Sequence, residues 1–168
     1  MRKSSGWTLA ALAACGADQT TTYVARDPCA PLALTTPGAT ESELDGIAAA
    51  LVLWRDRGVA AFDPAPEPQR DPAPAATGSE PPIAIRFGDA AEVFHGVYDP
   101  PSATIVINRA ITDRTTLAIV IAHELGHVFG LAHVAAVTRI SLMNPGNLVT
   151  PPTDADQRTL EALWGACR

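Results

Sequence analysis

The stretch "HELGHVFGLAH", His123 to His133, sets the tightest limit on how this chain can fold. It holds three of the chain's four histidines, in the pattern His-Glu-x-x-His-x-x-Gly-x-x-His. At this chain's own frequencies of His, Glu and Gly, such a pattern arises by chance on the order of once in 10⁵ sequences, so a chemical requirement outweighs coincidence. On an α-helix each residue advances about 100°, which sets His123 and His127 about 40° apart and one turn from each other. Their imidazoles then converge on one point, at the ~2.0–2.1 Å reach of a zinc–nitrogen bond. Glu124 falls about 60° from His127 on the same side, close to such an ion without ligating it. Gly130 permits the sharp turn at the helix end that brings His133 round as a third ligand. Three neutral nitrogens leave a fourth position for water, the arrangement of a catalytic zinc site and not of a structural one. There Glu124 acts as general base, taking the proton of a zinc-activated water and passing it to the leaving amine. A bare His-Glu-x-x-His also occurs in proteins that bind no metal. The extended pattern is what separates this chain from them.

The surrounding sequence supplies the helix that the histidines need. "TDRTTLAIVIAHELGHVFG" has polar starters at Thr112 and Asp113, an apolar body from Leu117 to Ala122 and a stop at Gly130. It reads as a central helix, apolar on most sides. Ile119, Val120 and Ile121 favour strands by propensity, but the histidine spacing has meaning only on a helix. Upstream, "ATESELDGIAAALVLWRDRG" offers Thr40 as N-cap with Glu43 three residues on, a capping box. Leu44, Ile47, Leu51 and Trp54 recur at helical spacing and Gly58 stops the run. "IAIRF" (Ile83 to Phe87) alternates like a half-buried strand, "EVFHGVY" (Glu92 to Tyr98) is a weaker one, and "TIVIN" (Thr104 to Asn108) reads as a buried one. A last helix is expected in "TDADQRTLEALWG", with Thr153 as N-cap and Asp156 at the third helical position. Residues 63–82, rich in Pro and Ala, form a long surface loop; neither side of it could close a core alone. At 168 residues with 47% hydrophobic content, the chain suits one α+β domain.

The ends carry signals of another kind. Arg2 and Lys3 precede a short apolar run from Trp7 to Ala14, the layout of a secretory signal. The run ends in Leu12-Ala13-Ala14-Cys15, which resembles the bacterial lipobox, whose cysteine is lipidated. An ordinary signal peptide cut at a small residue, or a buried apolar stub, is the alternative. On this reading residues 1–15 are the signal, 16–28 a tether and 29–168 the domain. The protein is then exported and lipid-anchored to the bacterial envelope (the outer membrane in a Gram-negative cell), or secreted. No run of 18 or more apolar residues is present, so the lipid is its one expected membrane contact. Three cysteines leave one over in an exported chain, and lipidating Cys15 leaves Cys29 and Cys167 to form a disulfide. A loop of that length gives up to roughly 4–5 kcal/mol in the chain-entropy account. The formal charge is −6 and no basic stripe appears, which argues against nucleic-acid binding.

The eleven-residue pattern, followed ten residues later by Met143 in "SLMNP", resembles the metzincin zinc peptidases with their Met-turn. Within them the chain is most similar to the matrixins. Met143-Asn144-Pro145 matches their Met-x-Pro, "LEALWG" resembles their last helix, and "TIVIN" resembles the strand before their zinc helix. The resemblance extends over residues 29–168, and its specific part is 123–145. It implies a zincin-like fold, a twisted mixed β-sheet with two large helices, one bearing the zinc ligands, and a C-terminal helix. It further implies a monomeric zinc-dependent endopeptidase acting on protein or peptide, with Met143 forming an apolar floor under the ligands. By the same resemblance "EVFHGVY" is the edge strand that binds substrate, through main-chain groups near His95, Gly96 and Val97, and Pro145 begins one pocket wall. Departures are visible. His95 is the one spare histidine and reads as a surface residue, so a second, structural zinc is not expected; calcium binding is left open. Pro145 stands where some metzincins have a ligating tyrosine. Cys29 in "RDPCAPL" faintly resembles a cysteine switch, the alternative to its disulfide. The rival to an enzyme is a non-catalytic zinc-containing envelope lipoprotein, against which Glu124 argues, since a structural site has no use for that carboxylate.

Overall fold

A computed structural model describes residues 25–62 and 80–167. The signal segment with Cys15, residues 16–24 of the expected tether and residues 63–79 of the Pro-rich loop lie outside the described residues. In chain order the elements are β1 (Leu34–Thr35), α1 (Glu41–Arg55), β2 (Ile83–Gly88), β3 (Gly96–Asp99), β4 (Thr104–Asn108), α2 (Arg114–Val128) and α3 (Asp154–Trp164). Among the described residues the class is α+β, with a four-stranded mixed sheet and three α-helices. The sheet order is β1-β2-β4-β3, with β1, β2 and β4 parallel and β3 antiparallel at the edge.

Alternation builds the sheet's inner face. Ile83, Ile85, Ile105 and Ile107 are fully buried, while Arg86, the next residue after Ile85, is exposed. "TIVIN" is the buried strand expected, with Ile105, Ile107 and Asn108 buried and Thr104 and Val106 half-buried. Against the sheet lies α2, eleven of whose fifteen residues are buried. It starts at Asp113, whose carboxylate accepts from the Thr116 N–H at 2.8 Å. Helix α1 packs along it through Ile47, Ala50, Leu51 and Trp54. The Trp54 indole N–H reaches the Ala122 carbonyl at 2.8 Å, pinning the two helices one residue before the first histidine. Both expected capping boxes are formed, Thr40 with Glu43 and Thr153 with Asp156.

Two expectations need correction. The strand expected from Glu92 begins only at Gly96. Asn108, buried at the end of β4, donates its side-chain amide to Ala91 O (3.1 Å) and Phe94 O (2.8 Å), which folds the preceding residues into a turn. The tether, expected to run to residue 28, has already joined the domain by residue 26. Arg26 N–H donates to Val128 O at 2.8 Å and Pro28 O accepts from Ala61 N–H at 2.8 Å, while the Arg26 side chain is buried against Glu80 and Pro81. Cys29 and Cys167 form a disulfide between the two ends of the described chain. Among the described residues no helix is long and apolar enough to cross a membrane.

Candidate metal centre

Helix α2 ends in a way that sequence and geometry share. Gly130 adopts φ 91°, a left-handed conformation that side chains resist. Its N–H donates to His127 O (3.0 Å) and the Leu131 N–H donates to Gly126 O (2.9 Å), the paired bonds of a Schellman turn. The chain reverses there and returns His133 towards the helix.

The three imidazoles meet at their Nε2 atoms. His123 Nε2 and His127 Nε2 lie 3.1 and 3.2 Å from His133 Nε2. Three nitrogens at ~2.0–2.1 Å from one tetrahedral ion stand roughly 3.3 Å apart, so the set could hold a metal ion. The opposite ring nitrogens fix the tautomers of the two helical ligands. His123 Nδ1 is 2.8 Å from Leu142 O and His127 Nδ1 is 2.7 Å from Leu131 O. A carbonyl only accepts, so each Nδ1 carries the hydrogen and each Nε2 presents a lone pair. Burial lowers the pKa of all three rings, that of His127 to about 4 with further repulsion from His123, so near neutral pH they are uncharged and able to ligate.

Glu124 follows His123 on α2 and is buried beside this point, under the edge strand. A Cβ added at Gly96 would lie 3.2 Å from both Glu124 Cγ and Oε1, so the carboxylate is seated against bare backbone. Burial pushes its pKa up to about 7, opposed by a backbone hydrogen bond from Tyr98. A carboxyl poised near neutrality can take or give a proton there.

The rest of the centre is loop. Met143 is buried beneath α2, where a Cβ at Gly126 would stand 2.6 Å from its Sδ. The Leu142 peptide just before it is held on both sides. Its N–H donates to Asp156 Oδ2 at 3.0 Å, and its oxygen receives His123 Nδ1 and, at 3.0 Å, Asn147 Nδ2. Asp156 is fully buried and also accepts from Ser141 Oγ and from the N–H and hydroxyl of Thr153. Burial alone would raise its pKa, but these bonds outweigh it and hold the carboxyl below its ordinary value.

Two open cavities flank Glu124 and His133. One, of about 370 Å³, is lined by Val97, Tyr98, His127 and Leu131 among others. The other, of about 320 Å³, is lined by His95, Val120, His123, Pro145 and Asn147 among others. Gly96 borders both. Asn108 N–H donates to His95 O, which makes 95/108, and by alternation 97/106 and 99/104, the hydrogen-bonded pairs of the β3–β4 ladder. The main-chain groups of His95 and Val97 are therefore turned inward to β4. Those of Gly96 and Tyr98 point to the free edge, above the centre.

The structure thus brings His123, Glu124, His127, His133 and Met143 into one cluster and sets His95, Gly96, Val97 and Pro145 round it. Cys29 and Cys167 sit elsewhere, in their disulfide. Sequence reading missed Asp156, Asn147 and Tyr98 as parts of the centre. Asp156 was visible only as a helix-capping residue. No protein-family model matches the chain, and no curated protein matches it.

Proposed function

We propose that this protein is a zinc-dependent endopeptidase of metzincin type, similar to the matrixins. The observation that carries the reading is the convergence of three neutral imidazole nitrogens, 3.1 and 3.2 Å apart across His133, beside a buried carboxyl with a pKa near 7. An all-nitrogen set of three at tetrahedral spacing suits zinc, which is borderline-soft and accepts imidazole without geometric strain. When bound, zinc lowers the pKa of a coordinated water towards about 7 and polarises a carbonyl oxygen. His123, His127 and His133 would hold it. Leu142 O and Leu131 O orient two of those rings. Glu124 accepts the proton released in hydrolysis and returns it to the leaving amine. An extended substrate pairs with the free edge of β3 at Gly96, with side chains entering the two flanking cavities. Cys15, as a lipobox cysteine, anchors the enzyme on the outer side of a bacterial membrane.

The test is metal content and cleavage together. The purified protein is expected to carry one zinc per chain and to cleave members of a peptide library until a chelator is added. Glu124→Gln is expected to keep the zinc and lose cleavage by about 10²–10⁴-fold. Zinc retained with no cleavage by the unaltered protein would instead favour a non-catalytic envelope lipoprotein. Absence of stoichiometric metal would refute both readings.

A further inference from the structure

We propose that Asn147 is a positioning residue for the metal ligand His123, acting through the carbonyl oxygen of Leu142. Asn147 lies in the loop after the Met143 turn, 24 positions beyond His123 in sequence and on no regular element. Its side chain nevertheless spends all of its hydrogen-bonding capacity. Nδ2 donates to Leu142 O (3.0 Å) and Thr150 O (2.7 Å). Oδ1 accepts from the N–H groups of Thr150 (2.8 Å) and Val149 (3.2 Å). An amide has two donors and two lone pairs, so this one has a single workable orientation.

A carbonyl oxygen also has two lone pairs, and at Leu142 both are taken, one by His123 Nδ1 at 2.8 Å and one by Asn147. The N–H of the same residue is taken by Asp156. On the same two peptide planes Ser141 O accepts from the Asn144 N–H (3.2 Å) and the Met143 N–H donates to Ser141 Oγ (3.0 Å). The planes that meet at Leu142 are therefore held at five points, and the direction in which the oxygen meets the imidazole is set. That direction fixes the ring, and the ring fixes where Nε2 aims. With Asn147 removed, the peptide keeps its anchor at the Met143 N–H, but the oxygen itself keeps only the imidazole bond and has a lone pair open to water. Asn144, close by in the same turn, makes the contrast plain. It donates to Val134 O and Arg139 O and accepts from Ser141 N–H, which shapes the loop without touching the Leu142 oxygen. Asn147 also lines the cavity beside Pro145. The wall of that cavity and the orientation of a ligand are thus joined in one side chain.

The inference rests on the proposed metal centre but not on peptide hydrolysis, so its test reads metal directly. Cobalt(II) affinity of the full chain is measured by competition with a chromophoric chelator, together with the visible spectrum of the bound ion. Asn147→Ser keeps an acceptor for the Thr150 N–H but is too short to reach Leu142 O. It is expected to weaken cobalt binding about tenfold and to shift the spectrum. Asn108→Ser serves as control, since it frees a loop of similar kind, held at Ala91 and Phe94, with no bond leading to His123. It is expected to lower the unfolding midpoint at least as much while leaving affinity within about twofold and the spectrum unchanged. Should Asn147→Ser not fold, Asn147→Asp decides, because it keeps the acceptor for the Val149 and Thr150 N–H groups and turns the donor into a carboxylate oxygen that Leu142 O repels. Wild-type affinity and spectrum in the Asn147 variants would overturn the assignment, as would a loss that merely tracks stability in the way of the control. An unaltered chain that binds no cobalt would instead remove the metal centre itself, and the proposed function with it.

Discussion

His123, Glu124 and His127 stand on α2, where the backbone repeats and each side chain inherits its direction from the turn below. His133, Met143 and the Leu142 carbonyl stand on chain with no repeating ladder, between Gly130 and Thr153. Both halves meet within hydrogen-bonding distance, yet they are held by different means. The helical half is placed by burial and a cap, and borrows from the loops only the Leu131 and Leu142 carbonyls that orient its two rings. The loop half needs Ser141, Asn144, Asn147 and Asp156, each bonding backbone that no helix or strand would satisfy. A site of this kind is as firm as its less regular side.

That contrast can be broken or sharpened by substitution. The largest effect is expected in the loop half. Asp156→Ala orphans the Leu142 N–H, the Ser141 hydroxyl and the Thr153 amide together, and should cost about 3 kcal/mol or more in denaturant unfolding while the far-UV signature of the helices persists in the folded state. A cost below about 1 kcal/mol would mean that the loop holds itself without its buried carboxylate.

The helical half has the opposite electrostatics, with a smaller effect. Glu124 binds its proton up to about pH 7 in the fold but only to about 4.5 when unfolded. Between those values the metal-free native state holds the extra proton, so stability falls as pH rises through this window. Glu124→Gln abolishes the loss. Without metal, the variant should exceed the parent by on the order of 2 kcal/mol at pH 8, with the advantage gone by pH 4.5. Parallel urea-unfolding curves across that range would show that the carboxylate is not penalised by its surroundings.

The smallest effects compare the two capping boxes. Thr40→Ala and Thr153→Ala should each cost about 1 kcal/mol. Only the second should also weaken metal binding, because the Thr153 hydroxyl donates to the same Asp156 oxygen that holds Leu142, at 2.8 Å. Equal metal affinity in the two variants would separate the last helix from the centre.

The same division explains what could be read in advance. The spacing of His123, Glu124 and His127 is legible because a helix converts sequence distance into angle, and Thr40 and Thr153 are legible because a cap acts within three residues. The start of β3 was not, since it is set by the Asn108 side chain reaching back over a loop from another strand. Two-residue β1, Leu34–Thr35, is too short to show any period. Nor could the sequence give Asp156 its second role. Its bonds to Ser141 and Leu142 cross fifteen and fourteen positions that no local pattern connects.

The bond between Cys29 and Cys167 closes a ring around 138 positions of the chain. Proteins commonly begin to come apart by fraying at their extremities. Here the residues just before β1 and just after α3 are joined to one another, so neither can drift far from the other. The cross-link thus keeps the chain entering the sheet and the chain leaving the Asp156 helix within reach of one another even when either opens.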